Sequence, residues 1–571
     1  MTDHRNMILA VILSAIVLFG WGFVTERYFP TADKASTKFV DGKQVAVQQP
    51  SAGPAARTPA AIRSRNVVLG ESPRVAIETP YLKGSINLRG ANVDDLVLTT
   101  YSQTMAANSP PVRLLSPAGA PNAYFASFGW TGDGVALPGP ETMWTASGNR
   151  LAPGAPVTLS WTNPTGQRFD IALSIDGKFM FKVDQTVTNT GPGAIAARPY
   201  ALISRVGKSP DPDSWTVHTG PIGVFNGAAE YGVDFKDLDK EPVSRFSSRG
   251  GWLGFGDKYW LTALVPDQAA SIDAAFRRGG GDSYQADFTV QPAIVAPGKA
   301  VRATSRLFAG AKEVELLDRY EDQLGIAQFD KAIDWGWFYW FEKPIFYLLH
   351  WLFVTIGNFG VAIICLTFIV RLVMYPIAQR QFASMAKMRV LQPKMKALQE
   401  RFKDDKPRLQ QEMLKMYQAE KVNPFAGCLP ILLQIPVFYA LYKVLLLSVE
   451  MRHQPFALWI KDLSAPDPLT PVNLFGFLSF TPPAFLAIGV LPILLGITMW
   501  LQFKLNPAPM DPIQKQVFGF MPWVFMFIMA PFAAGLQLYW TVSNILTIAQ
   551  QKWLYSRFPG MKEASEAEAK T

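Results

Sequence analysis

Hydrophobic residues are concentrated near the two ends of the chain, while its middle alternates between apolar and polar positions. An apolar stretch of 18 residues, 7–24, begins shortly after Arg5. Long apolar runs return after about residue 333, whereas residues 67–320 carry short alternating segments separated by Gly, Pro and Asn. This pattern predicts lipid around both ends of the chain and water around its middle.

The N-terminal stretch predicts an uncleaved signal anchor over residues 1–29, with its N-terminus in the cytosol, because no small-residue cleavage pattern precedes the polar flank. A cleaved signal peptide is the alternative. Residues 30–63 are rich in Ala, Pro, Ser, Gln and Thr and show no hydrophobic periodicity. Such a composition cannot bury enough apolar surface to fold, so these residues are predicted to form a disordered tether.

Strand signals recur over residues 64–325 and predict a periplasmic all-β domain. In the clearest example, apolar residues alternate with small or polar ones on both sides of the turn pair Asp176 and Gly177. The alternating apolar positions are Ile171, Leu173, Ile175, Phe179, Phe181 and Val183. They predict a β-hairpin with one buried face. Many such strands with few helical segments predict a large two-sheet sandwich, a supersandwich.

The C-terminal part of the chain predicts a membrane α-helical bundle. Residues 333–357 are dense in aromatic rings interrupted by charges, which is typical of an interfacial amphipathic helix. A Gly-Asn break then opens a span over residues 358–376, and residues 425–555 hold four further spans. These are predicted at 429–447, 484–501, 517–529 and 536–554, with a turn at 531–535. With the anchor, the sequence predicts six transmembrane helices and a cytosolic tail at 556–571.

The distribution of charge supports this topology. The 571 residues are 49% apolar and carry a net charge of +9. Residues 380–421 hold eleven basic and five acidic residues, whereas the loop at 450–482 holds two basic and three acidic ones. Because cytosolic loops carry the excess of Lys and Arg, the first segment is predicted to be cytosolic and the second periplasmic. The positive charge is therefore a topology signal and argues against direct nucleic-acid binding.

The cytosolic residues 377–424 predict a helical hairpin, because apolar residues recur every three or four positions on both sides of a turn at 404–407. Four methionines belong to this pattern: Met388, Met395, Met413 and Met416. They either pack against each other or present an adaptable surface to varied apolar partners.

Arg371 is the residue that most strongly suggests a function. It follows Gly360 by eleven residues, which places it about 17 Å into the bilayer at about 1.5 Å per residue. An arginine at that depth is costly and marks a functional candidate. The alternative is an arginine at the cytosolic end of a longer span, extending to the headgroups. Thr367 lies one turn earlier on the same face and offers a hydroxyl beside the guanidinium.

The last span carries polar residues three or four positions apart, which form one stripe along a helix face. They are Gln537, Thr541, Asn544, Thr547 and Gln551. The stripe faces either other helices or a water-filled cavity. Gln434 adds a buried polar group, while Lys443, near the periplasmic end of its span, is expected to extend to the headgroups. Since no span carries a carboxylate to pair with Arg371, these residues suggest a hydrated groove that accepts an anion.

Signals for catalysis are weak. The four histidines, His4, His218, His350 and His453, are scattered without metal-ligand spacing, and no phosphate-binding loop or nucleophile motif occurs. Cys365 and Cys428 lie in apolar segments and imply no disulfide framework. We therefore expect no enzyme activity, no metal and no cofactor. The remaining alternative is an enzyme in which carboxylates of the β domain act on periplasmic glycans.

Several C-terminal motifs closely resemble the YidC-type membrane protein insertases. They are FIVRLVMYP at 368–376, SMAKMR at 384–389, LQPK at 391–394, EKVNP at 420–424, PFALWI at 455–460 and LYWTVSN at 538–544. The match covers about 200 residues in order. The anchor, tether and periplasmic domain resemble the gram-negative form of this family more loosely. Lys443 departs from the apolar or aromatic residue expected at its position, and Pro531 lies farther from the turn than usual.

The resemblance implies that five spans enclose a groove open to the cytosol and to lipid, with Arg371 as its characteristic arginine. The resemblance also implies that Gln434 and Trp540 belong to the groove lining. The predicted lining consists of Arg371, Thr367, Gln434, Tyr539, Trp540, Thr541 and Asn544. The family's periplasmic domain is similar to sugar-binding sandwiches, but the histidine pair of a mutarotase is missing here.

The function implied is insertion and folding of newly made proteins in the bacterial inner membrane, alone or with the Sec translocon. The hairpin would receive substrates or dock the ribosome and targeting factors. Two alternatives remain, a small-solute transporter or channel and a membrane-anchored periplasmic glycan-binding protein. A transporter predicts paired intramembrane charges or repeated halves, and the sequence shows neither.

Overall fold

The structure is a computed structural model that describes residues 39–40, 43–44, 62–132, 134–211, 217–402, 405–420, 429–475, 477–478, 480, 483, 487–505 and 512–557. The chain divides into two compact units, Met1–Asp334 and Trp335–Thr571. The predicted anchor at 1–29 lies outside the described residues, as does most of the predicted tether at 30–63. Within residues 30–63, the two-residue strands β1 (Phe39–Val40) and β2 (Lys43–Gln44) pair antiparallel, which the prediction of a disordered tether did not include.

The first unit is built from strands β3 to β22. Their bounds are Arg74–Glu78 (β3), Leu82–Asn87 (β4), Asn92–Ser102 (β5), Pro111–Leu115 (β6), Tyr124–Thr131 (β7), Thr145–Ala146 (β8), Arg150–Leu151 (β9), Val157–Thr162 (β10), Gln167–Ile175 (β11), Met180–Asn189 (β12), Ile195–Val206 (β13), Gly220–Phe225 (β14), Ala228–Glu230 (β15), Val243–Arg249 (β16), Trp252–Gly256 (β17), Trp260–Pro266 (β18), Ser271–Arg278 (β19), Ser283–Val290 (β20), Ala293–Val295 (β21) and Ala300–Ala311 (β22).

These strands form two large sheets, which confirms the predicted sandwich. The nine-stranded sheet has the order β15-β14-β17-β18-β22-β12-β11-β10-β8, and the eleven-stranded sheet has the order β16-β19-β20-β13-β7-β5-β4-β3-β9. Strand β21 pairs with β13, and β6 pairs with β5. Phe225 of the first sheet stacks on Phe246 of the second, with ring centroids 4.2 Å apart. The Gln185 amide donates across the same interface to the Gly129 carbonyl at 2.7 Å.

The predicted hairpin and its buried face are confirmed. Strand β11 pairs antiparallel with β12, with Phe169 opposite Val187 and Ile175 opposite Phe181. All six alternating apolar positions are at most 6% exposed. The Asp176 carboxylate accepts hydrogen bonds from the backbone amides of Lys178 at 2.8 Å and Met180 at 3.0 Å. The alternation therefore identified the buried face, because successive side chains of a strand point to opposite faces.

The described residues of the first unit also form the helices α1 (Arg65–Leu69), α2 (Phe235–Lys240) and α3 (Val314–Leu324). Helix α2 begins with a capping box between Asp234 and Asp237. Helix α3 buries Val314, Leu316, Leu317 and Tyr320 and ends at Gly325, whose φ of +63° suits a glycine. The 3-10 turn Phe329–Ala332 follows, and its Phe329 ring contacts Trp252 and Phe308.

The second unit is helical. Its α-helices are Tyr339–Ile356 (α4), Phe359–Arg401 (α5), Lys406–Ala419 (α6), Leu429–Leu447 (α7), Val490–Leu505 (α8), Pro512–Met529 (α9) and Ala534–Arg557 (α10). Short 3-10 turns occur at Gly336–Phe338, Val449–Met451 and Pro471–Asn473. Asn358 caps α5 by accepting from the Val361 amide at 3.1 Å. The expected Gly-Asn break therefore starts a helix, because an Asn at the N-cap satisfies a free amide.

Two helix boundaries in this unit differ from the expected span boundaries. The helix that contains the span expected at 358–376 continues to Arg401, while its apolar segment ends at Gln379. The first arm of the predicted hairpin is therefore the C-terminal half of α5. The helix continues through Pro376, although an interior proline removes one hydrogen bond and crowds the carbonyl four residues before it. The span expected from 484 starts at Val490, and residues 487–489 are not helical. Here the Asp467 carboxylate fixes the start by accepting from the Leu491 amide at 2.7 Å.

Among the described residues, one helical segment, Phe359–Gln379, is long and apolar enough to cross a membrane. Shorter apolar segments occur at Gln434–Leu447, Val490–Leu505 and Gly519–Met529. The count of six spans is therefore not confirmed. The expected turn near 531–535 is present, since α9 ends at Met529 and α10 begins at Ala534.

Candidate functional site

Helices α5 and α10 pack against each other and bring Arg371 to Ser543. The guanidinium Nε donates to the Ser543 hydroxyl at 3.1 Å, and Nη2 donates to the Ser543 backbone carbonyl at 3.2 Å. Nη2 also donates to the same hydroxyl. The two residues are separated by 172 positions in the chain. Arg371 is partly exposed, while Ser543 is 2% exposed.

Ser543 was not predicted as part of the site. It belongs to the LYWTVSN motif, but it lies outside the polar stripe that the spacing selected. Residues 539 and 543 are one helical turn apart and share a helix face. The predicted site residue Tyr539 was therefore a sequence signal from which Ser543 could have been inferred. Only the packing of α5 on α10 shows which serine meets Arg371.

Thr367 does not place its hydroxyl on the guanidinium as expected. It is fully buried, and its Oγ1 donates to the Ile363 carbonyl at 2.7 Å, within its own helix. Such a bond back to the preceding turn is common for threonine in apolar helices. Among the described residues, the hydrogen bonds of Arg371 go to Ser543 alone.

Gln434 and Tyr539 join α7 to α10. The Gln434 amide donates to the Tyr539 hydroxyl at 2.8 Å, and Tyr539 is 2% exposed. Tyr539 lies one turn before Ser543, so the Gln434 bond and the Arg371 bonds are neighbours on one face of α10. The structure thus brings together Arg371, Ser543, Tyr539 and Gln434 from three helices.

Trp540 packs between α7 and α9. Its ring lies 4.5 Å from Phe438 and 5.2 Å from Phe525, measured between ring centroids. Trp540 remains partly exposed, whereas Thr541 beside it is 6% exposed. These positions give the polar cluster an aromatic neighbour.

The polar stripe of α10 is covered by protein along its whole length. All five of its residues are at most 9% exposed. Asn544 donates to Thr498 of α8 at 3.2 Å, and Thr547 donates to the Ser543 carbonyl at 2.7 Å. Gln537 donates to the carbonyls of Met529 at 2.9 Å and Phe532 at 2.8 Å, and so closes the turn between α9 and α10. At these positions the stripe makes hydrogen bonds within the helical unit, one of the two expected arrangements.

Lys443 does not extend to the headgroups as expected, because it is only 1% exposed. Its Nζ lies 3.5 Å from the position that a Cβ on Gly336 would occupy. Glu342 of α4, which packs against α7, is fully buried as well. Lys443 and Glu342 are therefore among the ionisable side chains that the second unit buries.

The described part of the predicted hairpin consists of the end of α5 and helix α6. The side chain of Met388 lies outside the described residues. Met395 is 8% exposed, and its sulfur accepts a hydrogen bond from the Tyr417 hydroxyl at 3.7 Å. Met413 and Met416 are partly exposed. Lys394 also pairs with Glu420 at 2.7 Å across the hairpin. Of its methionines, Met395 therefore packs inside the hairpin.

We call Arg371, Ser543, Tyr539 and Gln434 the Arg371 cluster. In it, one positively charged side chain lies among neutral hydrogen-bonding groups. Serine, tyrosine and glutamine orient side chains without neutralising the guanidinium. Within the described parts of the helical unit, no carboxylate lies within ion-pair distance of Arg371. A negatively charged group that reached Arg371 would meet an unneutralised charge. Two unit charges about 4 Å apart attract by about 1 kcal/mol in water and by about 4 kcal/mol at a partly buried position.

The first unit also contains carboxylates that bond to basic residues on the neighbouring strand of the same sheet. Burial raises the pKa of the Asp184 carboxyl, but hydrogen bonds from Thr304 and Lys182 and the charge of Arg302 outweigh it and leave the pKa below its ordinary value. Thr304 Oγ1 donates to Asp184 at 2.6 Å and Arg302 Nη2 donates at 2.8 Å. Burial raises the pKa of Asp287, despite its bond from Arg277 Nε at 2.7 Å.

Two family models match the chain and together cover most of it. The YidC periplasmic domain matches residues 74–348, and the 60Kd inner membrane protein matches residues 351–562. The two matched regions meet close to the boundary between the two structural units.

Full-length relatives carry the same description. The chain is 51% identical over 567 residues to the membrane protein insertase YidC of Zymomonas mobilis, covering 99% of this chain and 97% of the relative. It is 44% identical over 572 residues to that of Rhizobium meliloti, covering 98% and 96%. A crystal structure described as an active YidC insertase with its first transmembrane domain resolved is 16% identical, with a TM-score of 0.37, and covers 85% of this chain and 95% of that one.

Proposed function

Because the chain belongs to the YidC family of membrane protein insertases, we propose that Arg371 is the point at which an incoming substrate segment is held. The protein is an inner-membrane insertase with a periplasmic domain, and its substrates are membrane proteins. It belongs to a family of insertases and not of enzymes.

The observation that carries the proposal is the bonding of Arg371 to neutral Ser543. An arginine inside a membrane bundle that already had a carboxylate partner would not need a charge from the substrate. With serine as its partner, the guanidinium keeps its positive charge available. The polar, acidic tail of a nascent segment supplies the counter-charge, and its apolar part passes between helices into lipid, where apolar burial drives the process. The step needs no nucleotide.

The groove in this proposal consists of Arg371, Gln434 and Trp540, which are partly exposed, and of neighbours that are at most 6% exposed, namely Ser543, Tyr539, Thr541, Asn544 and Thr367. Support comes from the shared face of Tyr539 and Ser543 and from the position of the Trp540 ring between α7 and α9. A partly exposed aromatic ring beside a cation suits a substrate that is apolar at one end and polar at the other.

The proposed topology has six spans, with both termini in the cytosol, the hairpin in the cytosol and the loop between α7 and α8 in the periplasm. The excess of basic residues at 380–421 supports this orientation. The hairpin is the proposed docking element for the ribosome and targeting factors, because its partly exposed methionines can adapt to varied apolar surfaces. Cooperation with the Sec translocon is part of the proposal.

Photo-crosslinking to a stalled nascent membrane protein tests whether this cluster contacts the substrate. A photoreactive aromatic amino acid replaces Trp540 in one variant and Gln434 in another. The control variant carries it at Leu494 on α8, which is 40% exposed. We expect crosslinks to the nascent chain from positions 540 and 434 that are severalfold stronger than from 494. Equal crosslinking from all three positions would contradict the proposed groove.

A further inference from the structure

The connection between α7 and α8 exposes a group of apolar side chains. We call residues 468–489 the apolar loop. Its described residues expose Val472, Leu474, Phe475, Phe477, Leu478 and Phe480 by 42% to 89%. Phe477 is the most exposed of them at 89%. A water-soluble surface rarely presents such a group of large apolar residues in one short segment, so the loop needs an explanation.

The base of the apolar loop is closed by Asp467. One carboxylate oxygen accepts from the Leu469 amide at 3.0 Å, and the other accepts from the Leu491 amide at 2.7 Å. The first oxygen also accepts from the Trp459 indole at 3.0 Å. Asp467 is 6% exposed and therefore links the two ends of the loop from a buried position. A backbone bond from Val490 to Leu469 at 3.0 Å completes the closure.

The tip is held in a specific conformation. The 3-10 turn Pro471–Asn473 leads into Leu474 and Phe475, which have φ values of +50° and +58°. Large residues without a glycine's freedom rarely adopt positive φ, and such strain persists where surroundings fix it. Backbone bonds from Phe475 to Thr470 at 2.9 Å and from Leu478 to Asn473 at 3.1 Å stabilise the turn. The exposed rings are thus presented by a folded tip.

The chemistry of the loop favours lipid as its partner. From residue 468 to residue 503 the sequence contains no charged side chain. The loop leads directly into α8, one of the apolar helices of an inner-membrane protein. Exposed phenylalanine and leucine without nearby charges suit the boundary between headgroups and acyl chains, where apolar rings are buried in lipid. A docking site for a folded protein partner would add a polar rim with charged groups.

We infer that the tip of the apolar loop inserts into the surface of the lipid bilayer, with Leu474, Phe475 and Phe477 in the acyl region and the base closed by Asp467 at the headgroups. This is a lipid-binding surface separate from the Arg371 cluster. It does not depend on how substrates are inserted.

Site-specific fluorescence on the full-length protein tests the inference. The environment-sensitive fluorophore NBD is attached to single cysteines introduced as Phe477→Cys or Leu474→Cys, after Cys365→Ser and Cys428→Ser remove the two native cysteines. The matched control is Lys461→Cys, an exposed position in the same connection but before Asp467. Each protein is reconstituted in vesicles of phosphatidylethanolamine and phosphatidylglycerol, with or without lipids that carry a nitroxide on an acyl chain.

We expect labels at 477 and 474 to emit at shorter wavelength than the label at 461. The nitroxide lipid should quench them severalfold more strongly than it quenches the control, and aqueous iodide should quench them severalfold less. Iodide quenching at 477 and 474 equal to that at 461 would overturn the inference. Loss of the wavelength shift when the protein is diluted with more lipid would show that a second copy covers the tip, and would overturn it as well.

Discussion

Arg371 donates hydrogen bonds to both the side chain and the backbone carbonyl of Ser543. The serine orients the guanidinium toward one face of α10 without neutralising its charge. Arg371 could be recognised in the sequence because it is a single charged residue in an apolar run. Its orientation could not, because it depends on a partner 172 positions away.

Ser543→Ala should weaken insertion without abolishing it. The variant removes one acceptor of Arg371 but leaves the backbone carbonyl in place. Hydrogen bonds between membrane helices contribute about 0.6 kcal/mol on average, which corresponds to about a threefold lower insertion rate. The rate is measured for an acidic-tailed substrate in proteoliposomes. Ser448→Ala is the control, since Ser448 is equally buried, directly follows α7 and donates its hydroxyl only to the Val444 carbonyl at the end of that helix. A loss of the same size in both variants would argue against an orienting role.

Gln434 and Tyr539 should be energetically coupled. Gln434→Leu and Tyr539→Phe each remove the same 2.8 Å bond between α7 and α10. In a double-mutant cycle we expect a coupling energy of about 0.6 kcal/mol, with about 1.7 kcal/mol as an upper value. The free energy of unfolding in mixed detergent micelles provides the measurement. If the effects of the two substitutions add without coupling, the bond does not contribute.

Asp467→Ala should open the base of the apolar loop. The substitution leaves three donors without their acceptor, which costs about 1–3 kcal/mol for a buried group. Chymotrypsin cleavage within the loop should therefore be faster than in the native protein, and Asp467→Asn, which keeps one carbonyl oxygen, should lie between them. The control is Asp462→Ala. Asp462 is also buried, but it accepts from the amide and the hydroxyl of Ser464, which lies before the apolar loop. Cleavage unchanged in Asp467→Ala would refute the closure.

The stability of the periplasmic unit should depend on pH through Asp184. Its pKa in the folded protein lies below the ordinary value, so its ionised form stabilises the fold above about pH 4, the unfolded value. That contribution is lost as the pH falls through the folded pKa. Urea unfolding, followed by tryptophan fluorescence, should show Asp184→Asn destabilised by about 1–3 kcal/mol at pH 7. The difference should shrink below about pH 4. A difference independent of pH would contradict this role.

Much of the periplasmic unit could be predicted because strand alternation is a local signal. The buried face of the hairpin that contains Ile171 and Phe181 could be predicted from the alternation alone, without information about the second sheet. The apolar run of α7 likewise identified the helix at Leu429–Leu447, whose two ends agree with the predicted segment.

The features that sequence analysis missed depend on distant contacts. The start of α8 is set by Asp467, which lies 24 positions before the Leu491 amide that it accepts from. The burial of Lys443 depends on the chain near Gly336, which hydrophobicity along α7 could not reveal. Thr367 shares a helix face with Arg371, but its hydroxyl donates a hydrogen bond to the Ile363 carbonyl of the same helix.

The central claim is that Arg371 offers a positive charge to the substrate. Insertion into proteoliposomes is compared for two single-span substrates that differ only in an acidic or a neutral tail, with the native protein, Arg371→Lys and Arg371→Ala. We predict that Arg371→Ala lowers insertion of the acidic-tailed substrate severalfold and changes the neutral-tailed one little, while Arg371→Lys retains most of the preference. Insertion of the acidic-tailed substrate unchanged by Arg371→Ala would contradict the account.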